Sequence, residues 1–397
     1  MKSFILMILL VLTTNSCKKQ VSNQYDIDAV ISKTESQLEH ACKVVEANTK
    51  GKKILPRSIK GDNVIMVSSS DWTSGFFPGE LWMMYDLTGH EKWKNKAIQY
   101  TKLLEKEQYN TGTHDVGFMM YCSYGHGYRT TGNPEYKKIL IQTAKSLASR
   151  YNDTIKCIRS WDHTTNLYTY PVIIDNMMNM ELLLWASKET GDNTFKEIAL
   201  NHANTTITNH FRKDNSSYHV VDYSPETGEV IKKVTNQGYA DESIWARGQA
   251  WGLYGFTVMY RETRDQKYLD QANKIAHVVL SYDKMPEDHI PYWDMHAPNI
   301  PDEPRDASAA AITASALYEL STHSKANKEV YKEAADKIIE TLSTENYLIK
   351  VGDKQGFLLD HSTGNWPRNS ELDVPIVYAD YYFLEALKRK KELDKLK

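Results

Sequence analysis

Leu87-Thr88-Gly89-His90, Thr131-Gly132-Asn133-Pro134 and Thr190-Gly191-Asp192-Asn193 are three copies of one device, and they decide the fold. Each glycine suits the left-handed residue that ends a helix, and Asn133-Pro134 or Asp192-Asn193 suits the cap that starts the next. Thr263-Arg264-Asp265 and Ser321-Thr322-His323-Ser324 occupy equivalent places further along. The segment before each turn is rich in aromatic residues and methionine, as in Phe118-Met119-Met120-Tyr121. The segment after it carries an amphipathic stripe such as Leu140, Ala144, Leu147 and Tyr151, or Leu269, Ala272, Ala276 and Val279. The first kind reads as an inner helix and the second as an outer one.

Working outward, inner 74–88 pairs with outer 91–106, 115–131 with 134–151, 171–190 with 193–211, 244–262 with 266–282, and 305–321 with 326–344. An opening helix at 26–48 and a closing one at 372–391 complete a sixth hairpin across the ring. The expectation is all-α, an (α/α)6 barrel, a toroid of six hairpins; an irregular helical solenoid is the alternative. The chain has 397 residues, 41% of them hydrophobic, which suffices for a large core in one domain. A net charge of −3 gives no broad basic surface, so nucleic acid is not an expected partner.

Met1-Lys2 followed by an apolar run from Phe4 to Leu12 and then Thr13-Thr14-Asn15-Ser16-Cys17 reads as a signal peptide over 1–17 with a lipoprotein box. Residues 18–397 then form a single catalytic domain, exported to the periplasm or anchored at the outer membrane. Contact with membrane is expected only through a lipid on Cys17. Cys42, Cys122 and Cys157 are too scattered for a disulfide framework and read as buried thiols.

In such a ring the inner helices run the same way, so the long connections at 51–73, 152–170, 212–243, 283–304 and 345–371 open onto one mouth. Asp71-Trp72, His114-Asp115, Asp175-Asn176, Asp241, Asp306 and Asp373 fall at its helix starts, where capping alone accounts for any single carboxylate. Asp115 and Asp175 differ, because Val116-Gly117-Phe118 and Val172-Ile173-Ile174 beside them belong in a core. A carboxylate there must be paired, hydrogen-bonded or protonated. Two carboxyl groups facing one cavity can have their proton affinities driven apart, giving an acid and a base. Among the 9 Trp and 25 Tyr, Trp72, Trp161, Trp245, Trp251 and Trp293 fall in or beside the mouth, while Trp82 and Trp185 read as core. Arg247, among small and apolar residues, suggests a clamp for an anionic group. His219 and Gln237 flank a hairpin, Tyr218 to Asp222 and Glu229 to Lys233, where solvation explains them equally well.

At these residues the chain resembles the unsaturated glucuronyl hydrolases, glycoside hydrolase family 88. The resemblance rests on Asp71-Trp72-Thr73-Ser74-Gly75-Phe76-Phe77-Pro78-Gly79, His114-Asp115-Val116-Gly117-Phe118 and Ile174-Asp175-Asn176-Met177-Met178-Asn179. It continues through Gln237-Gly238-Tyr239, Trp245-Ala246-Arg247-Gly248-Gln249-Ala250-Trp251-Gly252, Asp373-Val374-Pro375 and Tyr378-Ala379-Asp380-Tyr381-Tyr382. It implies an (α/α)6 barrel that removes the nonreducing-end Δ4,5-unsaturated uronic acid from oligosaccharides made by polysaccharide lyases. The family's catalytic pair maps onto Asp115 and Asp175, and His219, Gln237, Arg247, Trp72, Trp161 and Trp251 match substrate-site positions, with His114 in the same motif as Asp115. Asp175 is then the acid that protonates the vinyl ether, and Asp115 the group that holds sugar hydroxyls and helps keep Asp175 protonated. Arg368, in Asn365-Trp366-Pro367-Arg368, either reads a sulfate or is solvated. No metal or organic cofactor is expected, and the partner is the unsaturated oligosaccharide, from glycosaminoglycan or ulvan. An unsaturated rhamnogalacturonyl hydrolase, a noncatalytic glycan-binding lipoprotein and a sugar epimerase on the same toroid are the rival readings.

Overall fold

A computed structural model describes residues 25–395; Cys17 and the expected signal peptide lie outside them. The helices are α1 (Ile27–Asn48), α2 (Phe76–Thr88), α3 (Glu91–Lys102), α4 (Val116–Met120), α5 (His126–Thr131), α6 (Pro134–Ala148), α7 (Met180–Thr190), α8 (Asn193–Asn209), α9 (Ala246–Thr263), α10 (Gln266–Leu280), α11 (Ala307–His323), α12 (Lys328–Leu342) and α13 (Val377–Lys395). A π-helical turn, Tyr121–Gly125, joins α4 to α5 in one continuous rod, so the ring is built of twelve rods, an (α/α)6 barrel.

The short turns are built as the sequence dictates. Gly89, Gly132 and Gly191 have φ of 72°, 65° and 76°, and each N–H closes back on the helix it ends. Asn133 and Asp192 accept the N–H of Glu135 and Thr194 at 3.0 and 2.9 Å, starting the next helix. Arg264 adopts the same left-handed conformation without being glycine, at φ 60°. The outer helix α6 buries Leu140, Ala144 and Leu147 along one stripe, whereas inner α11 is buried nearly all round, its Ala307–Leu317 run letting neighbours approach closely. The ring closes where α1 meets α13, with Lys391 Nζ 2.9 Å from Asp28.

The long connections are more ordered than the sequence suggests. β1 (Leu55–Lys60) and β2 (Asn63–Val67) form a hairpin around Gly61-Asp62, and β3 (Tyr151–Asn152) pairs with β4 (Cys157–Ile158). β5 (Pro171–Ile173), β6 (Val220–Tyr223) and β7 (Val230–Val234) make an antiparallel sheet in that order. The hairpin expected near 218–233 is therefore present, and a third strand joins it. The inner helix expected from 171 begins only at Met180: Pro171-Val172-Ile173 is a strand, and Ile174–Asn179 is a 3₁₀ turn. The β-branched run behind a proline favours extended backbone, and burial on both faces hides the strand from a periodicity reading. The closing helix likewise starts at Val377 rather than 372, and Trp185 is half-buried against Tyr121 and Tyr128 rather than sealed in the core.

One glycine ties the barrel wall to the mouth. A Cβ on Gly75 would lie 2.1 Å from the carbonyl oxygen of Met119, a main-chain atom one rod away that cannot swing aside. Gly75→Ala is expected to cost about 1–3 kcal/mol or more, read as a lowered denaturation midpoint; an unchanged midpoint would show that α2 and α4 are not in this contact.

Candidate active site

Three main-chain pairings bring distant segments to one place. Ser160 N–H donates to Pro171 O at 2.9 Å, His114 N–H to Ser160 O at 3.0 Å, and Ile174 N–H to His219 O at 3.1 Å. Since β5 pairs with β6 in the register Ile173↔Val220, the residues just beyond it, Asp175 and His219, emerge side by side. Thr113 bridges Trp161 in the same layer, setting that indole beside His114 and Asp115. These groups line a cavity of about 310 Å³, closed on its far side by Arg57, Asn236 and the 364–371 loop.

The two carboxyl groups of that cavity are in different states. Asp115 is held below the usual carboxylate range: burial pushes it up, but the His114 imidazole, the Thr113 hydroxyl and the more distant Arg150 charge outweigh it. His114 Nε2 stands 3.1 Å from Asp115 Oδ1, and Thr113 Oγ donates to Oδ2 at 2.6 Å. The amide of Asn179 faces His114 Nδ1 at 3.4 Å, which leaves the proton on Nε2 to donate to Asp115. Asp175 moves the other way, up to about 7. Burial is the largest cause; His114, Arg247 and its own main-chain N–H oppose it, and the Asp115 charge adds the smallest push. Asp115 thus helps keep Asp175 protonated, but desolvation does most of it.

His219 completes the pair. Its Nδ1 accepts the N–H groups of Asn236 and Gln237 at 3.1 and 3.2 Å, so the proton sits on Nε2. Burial, then Arg247 and His210, push its pKa down to about 3, and the ring is neutral at working pH. Nε2 lies 3.8 Å from Asp175 Oδ2, too far for a hydrogen bond, and both atoms are buried without a partner. A buried donor and a buried carboxyl oxygen left open on one cavity wall are costly to folding and are suited to a ligand.

Trp72, Trp161, His114, Gln237 and Arg368 also line the cavity, as expected from the sequence. Trp72 packs on Tyr378 at 5.0 Å, Trp161 stacks on His163 at 5.4 Å and 23°, and Arg368 is exposed with one nitrogen 3.3 Å from Asn236 Oδ1. Arg247 and Trp251 do not reach it. The Arg247 guanidinium is 2% exposed and is consumed by Asp306 at 2.8 Å and by the carbonyls of Thr363 and Gly364. The expected substrate clamp is therefore corrected to a clamp on the protein's own loop. Trp251, 1% exposed, packs edge-on to Phe118 and Tyr382 behind the cavity floor. Trp245 lies under His219 at 4.4 Å, and Trp293 is buried.

Sequence reasoning missed Arg57, which bonds Glu371 through two nitrogens at 2.7 and 2.8 Å and Asp71 at 3.0 Å, tying the cavity wall to residues 314 positions away. The signal was available: Gly61-Asp62 between two apolar runs is a two-residue hairpin turn. His163, Asn236 and Glu371 carried no comparable signal. Beneath the floor, a second cavity of about 290 Å³ shares Phe118 with the first, but the acids and bases around it, such as Glu181 with Arg261 and Glu385 with Arg389, pair with one another.

The family model for Glycosyl Hydrolase Family 88 matches residues 49–369. The unsaturated glucuronyl hydrolase of Formosa agariphila is 47% identical over 380 residues, 95% of this chain and 94% of that protein. The unsaturated chondroitin disaccharide hydrolase of Streptococcus pneumoniae is 33% identical over 371 residues, 91% of this chain and 90% of that one. A crystal structure described as an unsaturated glucuronyl hydrolase specific for heparin aligns with a TM-score of 0.89 at 45% identity, covering 93% of this chain and 99% of the other. The turns that build the ring, the paired carboxyl groups in its mouth and these likenesses agree: the chain belongs to glycoside hydrolase family 88.

Proposed function

We propose that this enzyme removes the nonreducing-end Δ4,5-unsaturated uronic acid from lyase-generated oligosaccharides by hydrating its vinyl ether, with Asp175 as general acid and then base. The observation that carries the reading is the Asp175 carboxyl, which lines the cavity beside a neutral His219 with its buried Oδ2 unpartnered and its pKa pushed up to about 7. A carboxylic acid poised near neutrality can protonate C4 of the unsaturated ring, leaving a cation at C5 that the ring oxygen stabilises. The resulting Asp175 carboxylate takes a proton from water as the water adds at C5. The hemiketal then opens and expels the remaining sugar. Because the glycosidic bond breaks by rearrangement, the spacing of the carboxyl groups does not set anomeric stereochemistry as it does in ordinary glycosidases.

His219 Nε2–H is placed to donate to substrate or to the entering water without competing for the Asp175 proton, since the ring is neutral. Asp115, kept ionised, is placed to accept sugar hydroxyls. Trp72 and Trp161 offer ring faces, Gln237 an amide, and Arg368 at the rim a cation for an acidic or sulfated neighbour.

The test is a panel of unsaturated disaccharides released by lyases from heparin, chondroitin, hyaluronan and ulvan, followed by loss of the near-ultraviolet absorbance of the conjugated acid. Turnover of at least one member is expected, and inertness toward all of them would overturn the reading. With the preferred disaccharide, kcat/KM is expected to fall about tenfold per pH unit above about 7, because the acid must be protonated in the free enzyme. A profile still flat at pH values well above 7 would remove Asp175 as the acid.

We also propose export with a lipid on Cys17. Radiolabelled palmitate incorporated by the full chain and not by Cys17→Ser would support it, and equal incorporation would refute it.

A further inference from the structure

The loop that walls the active site also carries a ring that the site does not use. Trp366 lies between Asn365 and Arg368, which both line the cavity, but its indole is outside the wall and 37% exposed. One face stacks on Trp293 at 5.0 Å with 14° between the planes. Trp293 is 1% exposed, and its Nε1–H donates to Glu303 Oε2 at 2.9 Å, so the lower ring is fixed. The turn beneath Trp366 is fixed too: Asn365 Oδ1 accepts the Arg368 N–H at 3.2 Å, Asn365 and Ser370 bridge, and Arg247 holds the Gly364 carbonyl.

A large aromatic surface held rigid in water at the rim of a binding cavity marks a contact that the cavity does not make. The occupant follows from continuity, because a cavity of about 310 Å³ is at the small end for ligand sites and any longer chain must leave it over its rim. A flat aromatic face suits the C–H face of a pyranose, and no charged group is required of the sugar that sits on it.

Resting on the hydrolytic function proposed above, we propose that Trp366, backed by Trp293, is a stacking platform for a sugar ring beyond the terminal disaccharide. The enzyme then prefers unsaturated tetrasaccharides to disaccharides of the same polymer. Trp293 acts as a positioning residue beneath the platform.

The experiment compares kcat/KM for the unsaturated tetrasaccharide and disaccharide that one lyase releases from whichever polymer gives the best disaccharide substrate. The wild-type ratio is expected to favour the tetrasaccharide by about three- to tenfold, the scale of one stacked ring. Trp366→Ala should bring the ratio to about one, and Trp366→Phe should keep most of it. A wild-type ratio of one, or a ratio unchanged in Trp366→Ala, overturns the platform while leaving the hydrolytic function standing. Loss of activity on both lengths at an unchanged ratio in Trp366→Ala also overturns it, since the ring would then only support the loop. Wild-type protein inert on every disaccharide strikes the functional reading itself.

Discussion

Asp175→Asn is expected to lower kcat by about 10²–10⁴-fold, the range for a lost general acid, while KM for the same disaccharide stays within a few-fold. The replacement keeps the shape and one acceptor oxygen and removes only the transferable proton. Because burial already drives Asp175 to the neutral form up to about 7, the amide imposes no new desolvation and the fold should not suffer. The sign of the stability effect follows from the same shift: a carboxyl whose folded pKa is raised contributes stability that is complete below its unfolded pKa and is lost as pH rises through about 7. Asp175→Asn should therefore melt no lower than wild type, and above pH 7 somewhat higher. A direct binding measurement on the inactive variant separates the two roles of the residue. Retained binding with lost turnover supports the acid; turnover within tenfold of wild type would eliminate it.

The contrast between Asp175 and Asp115 shows which parts of the site the sequence carries. Both were legible as carboxylates set in core-forming runs, and the short turns that cap the helices were legible because glycine and asparagine there have few alternatives. The states of the two groups were not legible. Asp115 is held low by His114, Thr113 and Arg150 together, and Asn179, 65 positions beyond His114, orients the imidazole that bonds it. His219 becomes a donor because Asn236 and Gln237 turn two main-chain N–H groups onto its other nitrogen. Such relations depend on register across β5 and β6, which a one-residue slip would reverse, and no single segment encodes it. Arg247 illustrates the opposite failure: a cation in a small-residue setting reads as a clamp on a ligand's anionic group, but the anion it holds is the protein's own Asp306.

Breaking that clamp is the second large effect. Arg247→Met keeps much of the apolar volume but leaves Asp306, fully buried, without its cation and strands the carbonyls of Thr363 and Gly364. Removing one partner of a buried pair costs about 3–5 kcal/mol, and the N–H groups of Ser308 and Ala309, which also bond Asp306, temper the charge without replacing the guanidinium. A chemical-denaturation midpoint should show the loss, and Asp306→Asn added to Arg247→Met should recover part of it; additive costs would mean that the two side chains are not coupled. Kinetics of the folded fraction then separate a loop clamp from a substrate clamp. Arg247 also lowers the Asp175 pKa through its charge, so its removal should carry the alkaline limb of the pH profile upward. Loss of a guanidinium that instead held the substrate carboxylate would move the same limb but would also raise KM many-fold, so KM is the quantity that separates the two roles. Arg247→Lys sharpens the distinction: it restores the charge beside Asp175, and with it the limb, but a single ammonium cannot satisfy Asp306 and two carbonyls in the fork geometry that holds Gly364 and the loop beyond it in place.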